Sequence, residues 1–189
     1  MPPRVKFSRE EIIAAALDIV CRGGMAALTA RSLAAELGSS AKPVFGLFEN
    51  MQEVQDEVVR AANAEYQSFL RAEMMRGAYP PYKASGMAYI AFARQEKELF
   101  KLLFMRDRTE EDSETEDESI DGIIALISRN TGLSNEDARL FHLEMWIFVH
   151  GISTMIVTGY LDWEEEYVSR TLTDVYEGLK ARWCGGNGK

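Results

Sequence analysis

Apolar residues recur three or four positions apart along almost the whole chain, while alternating β-branched runs bounded by turn residues are missing. That spacing predicts an all-α protein whose helices are punctuated by glycine and proline. Ser8-Arg9-Glu10-Glu11 has the form of a capping box, in which a hydroxyl and a carboxylate satisfy two orphan amides at a helix start. Ile13, Leu17 and Val20 then line one face until Gly23-Gly24 stops the helix. Thr29 is the next N-cap, and Gly38 ends the short helix that follows. Ser39-Ser40 should cap a third helix, with Pro43 in its first turn, where the missing N–H would be an orphan in any case. A long helical pattern follows Asn50 and breaks at Gly77 and Pro80-Pro81. Further helices are expected at 82–94, 96–105, 119–130, 135–159 and 164–183.

Two stretches do not fit the helical pattern. Residues 110–118 carry seven acidic side chains of nine, and their repulsion predicts a solvated loop. A calcium site is the sharper alternative, but the run lacks the spacing and the turn glycine of a calcium loop. The glycine-rich end, residues 185–189, is expected to be a disordered tail.

Composition removes several classes of function. With 189 residues, 47% hydrophobic and 27% charged, the chain can bury a core of one or two small domains. Cys21 and Cys184 are too few and too far apart for a disulfide framework or a CxxC zinc site, so a cytoplasmic location fits them. The first residues offer no apolar run for a signal peptide. The uncharged run 145–161, bracketed by Glu144 and Asp162, reads as a core or subunit-interface helix rather than a membrane span. No catalytic constellation is present, so no enzyme activity, cofactor or metal is expected. His142 and His150 stand eight residues apart on one expected helix. That is a rise of about 12 Å, too far to share an ion. His150 is then either a hydrogen-bonded core or interface histidine or a direct ligand contact. The formal charge of −9 weighs against a chain that coats nucleic acid over its whole surface.

The amino-terminal quarter is more specific. Ala34 precedes Gly38 by four residues, with Leu33 and Leu37 before the turn and Val44 and Leu47 after it. This is the arrangement of a helix-turn-helix, shared by many small helical hairpins. Residues 8–54 resemble the DNA-binding domain of the TetR family of bacterial transcriptional regulators. The resemblance is carried by Gly23-Gly24, Leu28-Thr29-Ala30-Arg31-Ser32-Leu33-Ala34, Gly38-Ser39-Ser40 and Val44-Phe45-Gly46-Leu47-Phe48. The remainder is similar to the helical ligand-binding and dimerisation half of that family, in a branch with a Trp-x-x-x-His-Gly motif, here Trp146 to Gly151. The family pattern has Tyr at Phe45 and Lys at Met51, so two contacts to phosphate are missing from this chain.

The resemblance implies a helix-turn-helix domain at 1–50, a helical effector and dimerisation domain at 51–184, and binding to an operator in double-stranded DNA. Thr29 and Arg31 would grip phosphate, and Ser39 and Ser40 would cap the recognition helix and approach the backbone. Lys42 would reach a guanine or a phosphate, with Ala41, Pro43, Phe45 and Gly46 beside it, and Arg4 and Lys6 would form a minor-groove arm. A small, mainly apolar effector would meet Tyr66, Phe69, Met87, Phe92, Phe100, Phe104, Met145, Trp146 and His150, most of which must also build the core. A homodimer would pack through Phe148, Gly151, Ile152, Met155 and Ile156. The most plain reading is a repressor released by its effector. The rival is a helical protein–protein interaction module without specific DNA binding.

Charge is unevenly placed along the chain. Residues 1–48 hold six basic side chains (Arg4, Lys6, Arg9, Arg22, Arg31, Lys42) against four acidic ones (Glu10, Glu11, Asp18, Glu36), a net of +2. The total of −9 therefore leaves −11 for residues 49–189.

Overall fold

The computed structural model describes residues 7–107 and 117–185. Its elements are α1 (Arg9–Gly23), α2 (Ala30–Glu36), α3 (Met51–Met75), α4 (Pro81–Gln95), α5 (Lys97–Phe104), α6 (Asp117–Thr131), α7 (Asn135–Val157) and α8 (Glu165–Gly185). Two short 3₁₀ turns, Met25–Ala27 and Val44–Gly46, complete the order. No strand occurs among the described residues, and the all-α expectation holds.

The helix ends follow their local chemistry. The Ser8 hydroxyl accepts from the Glu11 amide at 3.2 Å while the Ser8 amide donates to the Glu11 carboxylate at 2.7 Å, so the capping box closes on both sides. The first helix stops at Gly24, whose φ of 71° lies in the left-handed region and whose missing Cβ would sit 2.8 Å from Oε2 of Glu98. Asn50 caps α3 by accepting from the Glu53 amide at 3.0 Å, and Ser134 caps α7 by accepting from the Asp137 amide at 3.1 Å. Pro81 occupies the first position of α4, where its absent N–H costs nothing.

The third helix departs from expectation. Instead of a helix starting at Ser39 or Ser40, residues 41–46 form a turn followed by the single 3₁₀ turn Val44–Gly46, and the position before it is Pro43, with no side-chain cap. Three breakers fall close together. Gly38 has a φ of 56°, Pro43 disfavours helical backbone at Lys42, and Gly46 is a poor helix former. At the other end, Cys184 and Gly185 belong to α8 rather than to a tail. Residues 186–189 and most of the acidic stretch, 108–116, lie outside the described residues.

The described chain falls into two compact units. One runs to Phe69 and takes in Gln95–Arg106, and the other holds Leu70–Arg94 and the described residues from Asp107 onward. This partition differs from a simple division at residue 50, because α3 as far as Phe69 and the whole of α5 join the amino-terminal unit. In that unit Ile12, Ala16 and Val20 of α1, Leu33 of α2, Val44, Phe48, and Val54, Val58 and Ala62 of α3 are buried. The second unit has a core of Ile124, Ile127, Ala138, Phe141 and Met145, closed by Tyr82, Tyr176, Leu179 and Trp183. Phe141 has no exposed surface and meets the ring of Tyr176 edge-on at 5.5 Å. Replacing it with alanine, F141A, is expected to lower unfolding free energy by about 3–5 kcal/mol. Urea denaturation followed by circular dichroism measures the loss.

Candidate functional site

In the first unit a short helix, a turn and one 3₁₀ turn follow one another. The Thr29 hydroxyl accepts from the Ser32 amide at 3.1 Å, and Ser32 Oγ returns the favour by accepting from the Thr29 amide at 2.9 Å. A serine thus does the work of the usual Glu or Gln in this capping box. Leu33 and Ala34 of α2 are buried, whereas Arg31 is exposed. After Gly38, the Ser39 amide donates to the Ala34 carbonyl at 2.9 Å, which folds the chain back on α2. The Val44 and Phe45 amides then share the Ala41 carbonyl at 3.1 and 3.3 Å. Val44 and Phe48 point inward, four residues apart, and leave Lys42, Phe45 and Gly46 exposed.

The sequence-predicted DNA residues are therefore distributed as follows. Thr29, Arg31, Ser40, Lys42, Phe45 and Gly46 are exposed, and Ser39, Ala41 and Pro43 are half-buried, all within the first unit. Arg4 and Lys6 lie outside the described residues.

Electrostatics separates the described cations of residues 7–48 into two sets. Arg9 Nη2 lies 2.7 Å from Glu53 and 2.8 Å from Glu57, Nη1 donates to the Leu47 carbonyl at 3.0 Å, and the guanidinium sits 4.3 Å from the centre of the Phe48 ring. Arg22 pairs with Glu36 at 2.6 Å. Arg31 and Lys42 have no ion pair or side-chain hydrogen bond among the described residues. Over these residues the unpaired positive charge is carried by exposed side chains of α2 and of the turn that follows it. The Glu53 carboxyl is held below its ordinary value first by a bond from the Glu49 amide and then by Arg9. Sequence reasoning missed the Arg9 cluster. Its signal was a pair of glutamates, 53 and 57, one helical turn apart after the recognition segment.

The aromatic residues expected to meet an effector divide between the units. In the first, Tyr66 meets Phe104 edge-on at 5.1 Å, Phe104 lies 5.1 Å from Phe100, and Phe100 has no exposed surface. Burial pushes the Tyr66 phenol up to about 12. Phe69 is half-buried. In the second unit Met87, Phe92 and Met145 are buried, and Met145 belongs to the core around Phe141. His150 is hydrogen-bonded, its Nδ1 lying 2.9 Å from the Tyr89 hydroxyl, and the exposed Trp146 ring stacks on it at 4.9 Å. His142 and Tyr82 form a matching pair at 3.1 Å, and burial lowers the pKa of both histidines. Neither tyrosine was anticipated as a partner.

The expected dimer residues fall on two faces of α7. Ile152 and Ile156 are buried within the chain, because they continue the inward face of α7 that carries Met145 and Val149. The outward face instead presents Leu140, Leu143 and Ile147, with Ile147 59% exposed, and continues through Gly151 toward Met155. Phe148 is half-buried, as is Gly151. These outward residues repeat three or four apart on the sequence, so the spacing that predicted the helix also contained this second stripe.

Among the described residues no group of three His, Cys, Asp or Glu side chains is placed to hold a metal ion. Cys21 is no ready nucleophile, since burial, followed by the charges of Glu65, Glu96 and Asp18, pushes its thiol up to about 11. One described helix, Asn135–Val157, is long and apolar enough to cross a membrane.

Residues 82–176 match the family described as tetracyclin repressor-like, C-terminal domain. Three solved structures are similar in fold. A TetR-like transcriptional regulator from Rhodococcus sp. RHA1 shares 14% identity over 97% of this chain and 100% of that one, with a TM-score of 0.62. A TetR family member from Streptomyces coelicolor A3 shares 21% over 88% of this chain and 96% of that one, with a TM-score of 0.60. A candidate transcriptional regulator from Pseudomonas aeruginosa PAO1 shares 16% over 95% of each chain, with a TM-score of 0.67. No curated protein matches the chain.

The Glu53 cluster carries a pH dependence whose sign is determined. A carboxyl held below its ordinary 4.5 in the folded state stabilises that state while ionised. Its contribution is present above that value and is lost as pH falls through the lowered one. Thermal melts should therefore show the wild type losing stability as pH falls below the ordinary 4.5 of a glutamate, and E53Q should show a flatter dependence. Equal slopes for the two proteins would count against the assignment.

Proposed function

The chain belongs to the tetracyclin repressor-like (TetR) family of transcriptional regulators, and from that premise we propose that it is a cytoplasmic repressor that leaves its operator when a small, mainly apolar effector binds. The observation that carries the DNA half of this reading is the sorting of the described cations of residues 7–48. Arg9 and Arg22 are neutralised internally, while Arg31 and Lys42 stand exposed beside Ser40, Phe45 and Gly46. A surface built to meet phosphates and base edges has this composition. Lys42 is the base or phosphate contact, Thr29, Arg31, Ser39 and Ser40 set register on the backbone, and Ala41, Pro43, Phe45 and Gly46 allow close apolar approach. Arg4 and Lys6 supply the minor-groove arm.

A single recognition turn buries little surface, so the working form is a two-fold homodimer that reads two half-sites. The outward stripe of α7, Leu140, Leu143, Ile147 and Met155, supports that assembly, with Phe148 and Gly151 alongside. For the effector, Tyr66, Phe69, Phe100 and Phe104 in one unit and Met87, Phe92, Met145, Trp146 and His150 in the other are the candidate contacts. Phe92 and Phe100 have no exposed surface and serve a ligand only by moving. An effector shifts DNA affinity only by its preference for the form whose recognition turns are misplaced.

Fluorescence anisotropy with the DNA upstream of the protein's own gene, at two salt concentrations, tests the DNA reading. K42A is expected to weaken specific binding by about 1–3 kcal/mol if Lys42 reads a base, with little loss on random DNA. R31A is expected to weaken both and to flatten the salt dependence by about 0.9 for each copy that meets a phosphate. Wild-type binding that ignores salt would favour the interaction-module reading. Sedimentation tests the assembly: I147E is expected to be a monomer at micromolar concentration, and a monomeric wild type would overturn the dimer. A panel of apolar compounds should include at least one that raises the melting temperature and weakens operator binding.

A further inference from the structure

We infer that Arg9 is a positioning residue for sequence discrimination, holding the recognition turn in register with the start of α3 without itself touching DNA; this rests on the DNA-binding reading above. The recognition turn is weakly held by its own backbone. It is a single 3₁₀ turn, Val44–Gly46, lying between a proline and a run of non-helical residues. Its inward anchors are the side chains of Val44 and Phe48. Apolar anchors set depth, but they resist sliding and rotation poorly because they carry no direction.

Arg9 supplies the direction. Its Nη1 holds the Leu47 carbonyl, the residue that closes the turn, at 3.0 Å. Its Nη2 holds Glu53 at 2.7 Å and Glu57 at 2.8 Å, one helical turn apart on α3, and its plane lies over Phe48. Glu53 is pinned in its turn, since its second carboxylate oxygen accepts from the Glu49 amide at 2.7 Å and its own amide donates to Asn50 at 3.0 Å. A planar fork thus ties the end of the recognition turn to the capped first turns of α3. The acceptors diverge from one another, which suits a guanidinium and not the single ammonium of lysine. Because Phe45 and Gly46 immediately precede Leu47, a shift of α3 is passed to the exposed side of the turn by this side chain. The donors in use point at protein acceptors, so the role differs from that of Arg31 or Lys42.

The test compares the full-length wild type with R9M, which keeps an apolar stem over Phe48, and with R9K, which keeps the charge. In the free protein, hydrogen exchange at the amides of Val44, Leu47 and Phe48 is expected to accelerate in both variants. The ratio of specific to random DNA affinity is expected to fall by about tenfold, the scale of one lost base contact. The salt dependence is expected to stay at the wild-type slope, because no phosphate contact is removed. Unchanged exchange at the turn, or R9K restoring the affinity ratio, would overturn the inference. A slope flattened in R9M but not in R9K would make Arg9 a phosphate contact instead. Should R9M melt below the assay temperature, E57Q, which leaves the Leu47 and Glu53 bonds in place, should give a smaller change of the same sign, and wild-type exchange and ratio there would count against the role. If wild-type protein prefers no DNA, the functional reading fails, and the exchange measurement still decides whether Arg9 orders the turn.

Discussion

A seven-residue helix and a single 3₁₀ turn have no stability of their own in water, since nucleation costs more than so few hydrogen bonds return. Burial of Leu33, Ala34, Val44 and Phe48 against the inner faces of α1 and α3 is what holds them. The sides of these short elements that do not enter the core are free to carry polar and charged groups. The exposed placement of Arg31, Lys42 and Phe45 is thus a consequence of which neighbours had to be buried, because residues two or three positions away from an inward anchor on a tight turn face out.

Charge then sharpens what packing leaves exposed. The amino-terminal excess of basic residues is slight in composition, and half of the described cations there, Arg9 and Arg22, are consumed by internal carboxylates. The remaining two, Arg31 and Lys42, are exposed. A net charge count treats all six basic residues alike, whereas the three-dimensional pairing assigns two to architecture. The acidic balance of residues 49–189 opposes nonspecific adhesion to anionic surfaces.

Much of the architecture was legible in the sequence because helix signals are local. Ser8, Thr29 and Ser134 cap helices through groups three residues away, and the stops at Gly24 and Gly38 follow from backbone freedom at those positions. The recognition segment was misjudged where several local signals conflicted: serine caps argued for a helix, while Gly38, Pro43 and Gly46 argued against one. The Arg9 cluster was illegible for a different reason. Its partners are 38 to 48 residues away, and only the folded arrangement of α1 and α3 brings them together. The same holds for the pairs Tyr82 with His142 and Tyr89 with His150, which are 60 and 61 residues apart.

The helix α7 joins these points. It is apolar enough to pass for a membrane span, yet its apolar residues fall into two stripes with different roles. One stripe, through Phe141, Met145, Val149, Ile152 and Ile156, is consumed by the core of its own unit. The other, through Leu140, Leu143 and Ile147, has no cover within the described chain. A helix that is hydrophobic all round must be buried all round. The second stripe is therefore the part of α7 that the proposed dimer would cover. The residue type alone cannot separate the stripes, since both draw on Leu, Ile, Met and Phe. Only the helical phase does so, and a shift of a single residue exchanges an inward position for an outward one, which is why Ile152 and Ile156 are buried while Met155 between them is exposed.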